Sequence, residues 1–409
     1  MPHFAFLSPA TRVLRYTSAM PMFETLPPLA LYIHFPWCVR KCPYCDFNSH
    51  PLRGELPEQA YVEALLRDLE HDLPRVWGRR VRSIFMGGGT PSLISPAAID
   101  QLLSGVRSRI ALAPDAEITL EANPGASDIE RFAGYRAAGV NRLSIGVQSF
   151  EKAKLSALGR IHDGNAALAA ARAAREAGFD NFNLDLMVGL PDQSPDQALD
   201  DLHTAMALDP THLSVYQLTL EPNTPFYAQP PVLPGDDALA AMQDLLSAAL
   251  QHGGYQHYEV SAYARDGRQC RHNRSYWEFG DYLGIGAGAH AKITDAHGIT
   301  RLAKRQQPND YLAHAGTDMA LAETRSLTDT DAAFEFMLNA LRLIDGVPAE
   351  LFRERTGVAL EQIQTAVDAA YSQNLLMQDA TRLQPSAHGR RFLNDLIALF
   401  LPMSDNAHR

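Results

Sequence analysis

Cysteine is scarce in this chain, with four in 409 residues. That is too few for a disulfide framework, yet Cys38, Cys42 and Cys45 crowd into a single short segment. In a reducing cytosol such crowding points to a metal site. Long apolar runs are lacking too, so no segment reads as a membrane span. The opening stretch carries Arg12 and Arg15 without the continuous apolar core of a secretory signal. A cytoplasmic protein is therefore expected, with residues 1–25 a flexible extension and the true start at Met20 or Met22. Positive charge is also short: 36 basic against 47 acidic residues leave a net −11. Nucleic acid or an anionic membrane surface as main partner needs the opposite sign, although a local basic pocket remains compatible.

What is present fills two or three domains with ample apolar core. Between residues 26 and 222 short β-rich runs alternate with Ala/Leu-rich helical stretches: "LYIHF" (31–35), "RSIFM" (82–86), "EITLE" (117–121), "RLSIGVQ" (142–148), "NFNLDLMVG" (181–189) and "HLSVYQLTL" (212–220). Strand, helix, strand in repetition implies parallel strands with right-handed crossovers. The expected class is α/β, a partial (β/α)6 barrel, with an open doubly wound sheet as the alternative. Polar residues at the later ends of the runs favour the barrel, where the loops after the strands build one pocket. Residues 223–300 are less regular and carry "HNRSYW"; they are expected to complete the barrel. Residues 301–409 read as a mainly helical, winged-helix-like domain, with Phe334, Met337, Leu338 and Leu341 at the spacing of one buried face. Acids outnumber bases there, which weakens a DNA-reading interpretation.

The C-x3-C-x2-C triplet directs three sulfurs at one centre, as zinc or an iron–sulfur cluster requires. A closed zinc site wants a fourth ligand, for which His34 and His50 are the candidates, whereas a cubane on three cysteines leaves one iron open. "MGGGTPSL" (86–93) is a glycine turn straight after a strand, able to bring backbone N–H and C=O groups against a ligand or simply to turn the chain. It is no Walker loop, since Gly-Lys-Ser/Thr is missing. Glu121, Gln148, Arg160 and Asp185 stand where apolar strands end. Buried carboxylates need partners; a zwitterionic ligand with ribose hydroxyls and an internal salt-bridge network both supply them.

Together "YIHFPWCVRKCPYC", "GGGTPS", "LEANP", "RLSIGVQSF", "LGRIHD" and "LDLMVGLPDQ" resemble the radical S-adenosylmethionine superfamily, over about residues 26–400. The resemblance is nearer to the branch holding oxygen-independent coproporphyrinogen III oxidase and its haem-chaperone relatives. It implies a [4Fe–4S] cluster on Cys38, Cys42 and Cys45, with S-adenosylmethionine on the fourth iron. Tyr32, Gly88, Gly89, Thr90, Glu121, Gln148, Arg160, Asp185 and Thr219 match positions that contact S-adenosylmethionine, and Tyr44 matches an aromatic of the cysteine loop. One-electron cleavage of the sulfonium to a 5′-deoxyadenosyl radical is the chemistry such a site carries.

The oxidases of this branch bear a further cysteine two residues after the triplet, where this chain has Phe47. "HNRSYW" matches the chaperones instead, implying haem on His272 with Tyr276 and Trp277 flanking the porphyrin; Cys270, Arg271 and His290 are alternates. From the residues alone, His272 capping a turn and Trp277 filling core would fit as well. The expectation is a haem chaperone without the oxidase activity, passing haem to an acceptor protein. The acceptor's identity is open, a membrane-associated protein included, as is the choice between monomer and homodimer. The rivals are coproporphyrinogen decarboxylation in porphyrin biosynthesis and a zinc-bearing interaction protein.

Overall fold

The computed structural model describes residues 23–125 and 130–402. Apolar runs covered on one side by helices become parallel strands. Here β1 (Leu29–Phe35), β2 (Val81–Gly88), β3 (Leu112–Ala122), β4 (Arg142–Gln148), β5 (Phe182–Val188) and β6 (His212–Gln217) lie side by side in chain order, each parallel to the next. This is the expected α/β succession of a partial (β/α)6 barrel. Between the strands run α1 (Glu58–Asp72), α2 (Pro96–Arg109), α3 (Phe132–Ala138), α4 (Gly164–Glu176) and α5 (Pro195–Ala207). In α4 the buried residues are Ala167, Ala170, Ala171 and Ala174, a helical stripe of small side chains that lets the helix lie close to the sheet. Ser194 and Gln197 form a capping box that starts α5 after its loop.

The period-two alternation of the strands sorts the two faces. Leu143, Ile145 and Val147 of β4, Leu184 and Leu186 of β5 and Leu213 of β6 enter the main apolar core beneath the helices. The residues between them, Ser144, Gly146, Asn183, Asp185, His212 and Ser214, line a cavity on the concave face. The barrel interior is therefore polar.

The sheet continues past both ends of the six, to twelve strands. After α6 (Asp236–His252), β7 (Gln256–Glu259) and β8 (Ala262–Ala264) extend it antiparallel beyond β6. The helix α7 (Arg271–Trp277) follows, and β9 (Asp281–Ile285) then pairs parallel with β1, Tyr32 opposite Gly284. β10 (His290–Asp295), β11 (Gly298–Lys304) and β12 (Leu321–Ser326) add antiparallel strands outside it. The stretch expected to turn helical from residue 301 is thus still sheet as far as Ser326. Lys304 disguised it: the side chain is 1% exposed and its Nζ meets Asp68 at 2.6 Å and Asp72 at 2.7 Å, riveting β11 to α1.

The helical part begins with α8 (Asp329–Ala340), capped by Thr328 and Asp331. A second apolar cluster gathers Phe336, Met337, Leu341, Phe352, Leu376 and Leu396. The buried face differs from the expected one: Leu338 is 40% exposed, and Phe336 and Ala340 are inside instead. Val347–Pro348 pairs with Arg382–Leu383 as a short antiparallel wing. Residues 1–22, with Met20 and Met22, lie outside the described residues. Phe23, assigned from sequence to a free extension, is buried in this second cluster beside Phe279. Among the described residues no helix is long and apolar enough to cross a membrane.

Candidate functional site

A cavity of about 420 Å³ opens at the carboxyl ends of β1–β6, within the range of small-molecule sites. The loop after β1 forms one wall. Trp37–Cys38 pairs with His50–Pro51, which closes the segment into a compact loop, and a turn from Cys45 N–H to the Cys42 carbonyl (3.2 Å) tightens its tip. The Lys41 Nζ donates to the Phe47 carbonyl at 2.9 Å. The three cysteines are unpaired thiols, and all three line the cavity. Burial pushes the Cys38 thiol up from its ordinary value.

The histidines considered as a fourth ligand are occupied within this loop. His34 Nε2 bonds the Asn48 carbonyl at 2.8 Å while its Nδ1 meets the Tyr32 hydroxyl at 3.0 Å. Burial lowers the His34 pKa to about 4, so the ring is neutral. His50 Nε2 faces the Asn48 side chain at 3.1 Å. Among the described residues no three His, Cys, Asp or Glu side chains converge on a single-ion site. Three thiols on one tight loop, facing a cavity with room beyond them, fit a larger cluster with an open corner.

The glycine turn forms the next wall. Gly89 N–H donates to the Phe35 carbonyl and Thr90 N–H to the Trp37 carbonyl, both at 2.7 Å. A Cβ on Gly89 would sit 2.3 Å from the Trp37 oxygen, and one on Gly88 (φ 113°) 2.4 Å from the His34 ring. Only glycine lets the turn lie against the cysteine loop.

Glu121 closes the end of β3, its Oε2 accepting from Gly88 N–H at 3.1 Å. Burial and the charge of Asp185 push its carboxyl up to about 8. Asp185 accepts from Asn183 Nδ2 (2.8 Å) and Ser144 Oγ (3.2 Å), and burial raises it too. Arg160 donates to the Gly146 carbonyl (2.6 Å) and to Asn123 Oδ1 (2.8 Å), with Cys42 Sγ at 3.8 Å. Asn123 in turn donates to Thr90 Oγ1 at 3.0 Å. Gln148, at φ 67°, and Thr219 complete the rim, and Tyr44 packs on Phe226 with ring centroids 6.4 Å apart.

Of the residues matched to S-adenosylmethionine contacts, only Tyr32 is not on the wall. It stands behind His34, 6.4 Å from the Phe85 ring and 6.5 Å from that of His272. The others, from Tyr44 to Thr219, meet in one cavity together with the three cysteines.

"HNRSYW" is α7, and it packs against the early part of β2 and β3. His272 is 1% exposed; its Nδ1 bonds Ser83 Oγ and its Nε2 the Tyr276 hydroxyl, each at 3.0 Å. Burial depresses its pKa to about 3. Tyr276 lies edge-on to it at 88°, and Trp277 carries the Arg342 guanidinium over its ring at 4.3 Å. The expected porphyrin face is not laid open: both His272 nitrogens are taken, and Tyr276 and Trp277 line a separate cavity of 200 Å³ without it. Asn273 alone of the motif lines the main cavity. Of the alternates, Cys270 is fully buried against Glu117, Arg271 pairs with Asp115, and His290 is exposed at the start of β10.

Sequence reading by strand ends missed Arg142, Ser144, Asn183, His212 and Ser214, which line the deeper cavity. Their signal was present in "RLSIGVQ", "NFNLDLMVG" and "HLSVYQ", where polar and apolar residues alternate.

A family model described as the radical SAM superfamily matches residues 32–205, and one for the HemN C-terminal domain matches 327–392. The solved structure of coproporphyrinogen III oxidase (HemN) from Escherichia coli, described as a radical SAM enzyme, superposes with a TM-score of 0.78 at 26% identity, covering 92% of this chain and 90% of that one. Fold and site thus define a radical-SAM protein with a HemN-type C-terminal domain. The heme chaperone HemW of Escherichia coli K12 is 52% identical over 92% of this chain and 99% of its own length, and that of Haemophilus influenzae is 49% identical over 92% and 98%. A mouse mitochondrial protein, radical S-adenosyl methionine domain-containing protein 1, is 36% identical over 92% and 88%. Within the superfamily, the chain belongs to the HemW family.

Proposed function

We propose that this protein binds haem and delivers it to an acceptor protein, with a [4Fe–4S] cluster and S-adenosylmethionine in the barrel. The observation that carries the reading is 52% identity, across nearly the whole chain, to a protein named heme chaperone. Phe47, 58% exposed at the cavity mouth in place of the oxidases' extra cysteine, points the same way.

Cys38, Cys42 and Cys45 would hold the cluster, and Glu121, Gln148, Arg160 and Asp185 the nucleotide. Together these cofactors supply one-electron chemistry. The chain's own part is positioning: Gly88–Thr90 brings backbone against the ligand, Arg160 ties the cysteine loop to β4, and the polar wall replaces solvent. Four unpaired thiols suit a reducing compartment, and we place the protein in the cytoplasm. Haem could reach His272 only if α7 leaves its seat.

Anaerobically purified, cluster-loaded protein should shift the Soret band of added haem. No shift would overturn the chaperone reading, and unchanged binding by His272→Ala would remove the motif from it. Cys42→Ser should lose the brown chromophore. The rival oxidase activity is favoured by the HemN superposition; vinyl product from coproporphyrinogen III in an anaerobic assay would establish it.

A further inference from the structure

The cavity is deeper than the residues given above to S-adenosylmethionine. Below them its wall continues through Arg142 and Ser144 of β4, Asn183 of β5, His212 of β6 and Asn273 of α7. Most of these groups satisfy one another. Asn183 Oδ1 accepts from His212 Nδ1 at 2.7 Å and Ser214 Oγ at 3.1 Å, while its Nδ2 donates to Ser144 Oγ at 2.9 Å and to Asp185. His212 Nε2 meets the Tyr258 hydroxyl at 2.8 Å.

Arg142 is the exception. It is 2% exposed, its Nε is buried without a partner, and among the described residues no ion pair or hydrogen bond engages its guanidinium. The carboxylates whose charge it feels are committed elsewhere. Glu117 receives the backbone N–H groups of Arg271 (3.3 Å) and His272 (3.2 Å) and the Cys270 thiol (3.6 Å). Asp185 is held by Asn183 and Ser144.

A buried donor without an acceptor is costly, and the Nε of this planar fork is one. A fork of that shape pairs best with a carboxylate, through two parallel charge-assisted hydrogen bonds. We infer that the base of the barrel cavity is a carboxylate subsite, in which Arg142 holds the acid group of a second ligand beneath the first. Its placement beside S-adenosylmethionine rests on the function proposed above; the subsite itself rests on Arg142. A free small carboxylic acid and a propionate of haem share this chemistry.

Propionate is the probe, with propionamide as its neutral control, titrated by calorimetry into cluster-loaded protein. Propionate should bind at least about tenfold more tightly than the amide, and Arg142→Lys and Arg142→Gln should each lose about tenfold in propionate affinity. Arg142→Lys keeps the cation without the fork; melting temperature and cluster absorbance identify variants that remain folded. Failure of the wild type to prefer propionate, or equal propionate affinity in a folded variant, overturns the subsite. Haem and its dimethyl ester then separate the sources. If esterification and Arg142→Lys both weaken haem binding, the acid group is haem's; if neither does, it belongs to a free acid. A wild type that binds propionate but no haem would sink the chaperone reading alone.

Discussion

The Arg160 guanidinium bridges Cys42 and β4, with one nitrogen 3.8 Å from the sulfur and the other 2.6 Å from the Gly146 carbonyl. Among the described residues it is the one side chain that joins the cysteine loop to the strand ends through both sulfur and backbone. Arg160→Met keeps the length and removes every donor. The variant should retain its iron but bind S-adenosylmethionine roughly 10- to 100-fold more weakly, since bonds to a charged donor are worth about 1.5–3 kcal/mol. Equilibrium binding on reconstituted protein checks it; unchanged affinity would leave Arg160 a purely structural clamp.

Glu121 should make the ligand-free protein less stable as pH rises. Its carboxyl titrates near 8 when folded and near 4.5 when free, so the folded state holds the proton more firmly. That contribution is fully present below pH 4.5 and is lost as pH climbs through 8. Melting curves at pH 5 and pH 8.5 should show Glu121→Gln gaining on the wild type at the higher pH. A constant difference would mean the carboxyl is not held neutral.

The opposite sign applies to His272. Its pKa falls from 6.5 to about 3 on folding, so its contribution is intact above pH 6.5 and is lost as pH drops towards 3. His272→Ala should cost roughly 2–4 kcal/mol at neutral pH, because it opens a cavity and strands the Ser83 and Tyr276 hydroxyls. Urea unfolding measures this. A loss near zero would put the imidazole at the surface, free for iron.

Lys304→Met should destabilise the protein by about 3–5 kcal/mol, since two buried carboxylates, Asp68 and Asp72, would lose their shared cation. Adding Asp68→Asn and Asp72→Asn to the same chain should restore part of that loss. If chemical denaturation shows no such recovery, the lysine acts through packing and not through charge.

The six βα units and the site at their carboxyl ends were legible because Glu121 closes "EITLE" and Gln148 closes "RLSIGVQ", whereas Asp185 sits in the middle of β5 and Arg160 in a loop well beyond β4. The sheet beyond them was not. Lys292 and Lys304 look like surface in a sequence, but each is 1% exposed and paired with aspartate that lies far off in the chain or across a hairpin. The burial of His272 was hidden for a related reason. Its spacing to Tyr276 and Trp277 suggests one face, whereas its burial is decided by Ser83, 189 positions away. Tertiary partners of that kind leave no local periodicity.

The first strand of the sheet, β1, has β9 as its second parallel neighbour, and β9 is made some 250 residues later. At about 5–20 residues per second on the ribosome, one side of Leu29–Phe35 stays open for tens of seconds. A bare, mostly apolar edge of that duration invites pairing with other nascent chains. Until Asp281–Ile285 is made, with the polypeptide more than two-thirds complete, that edge lacks its native partner strand.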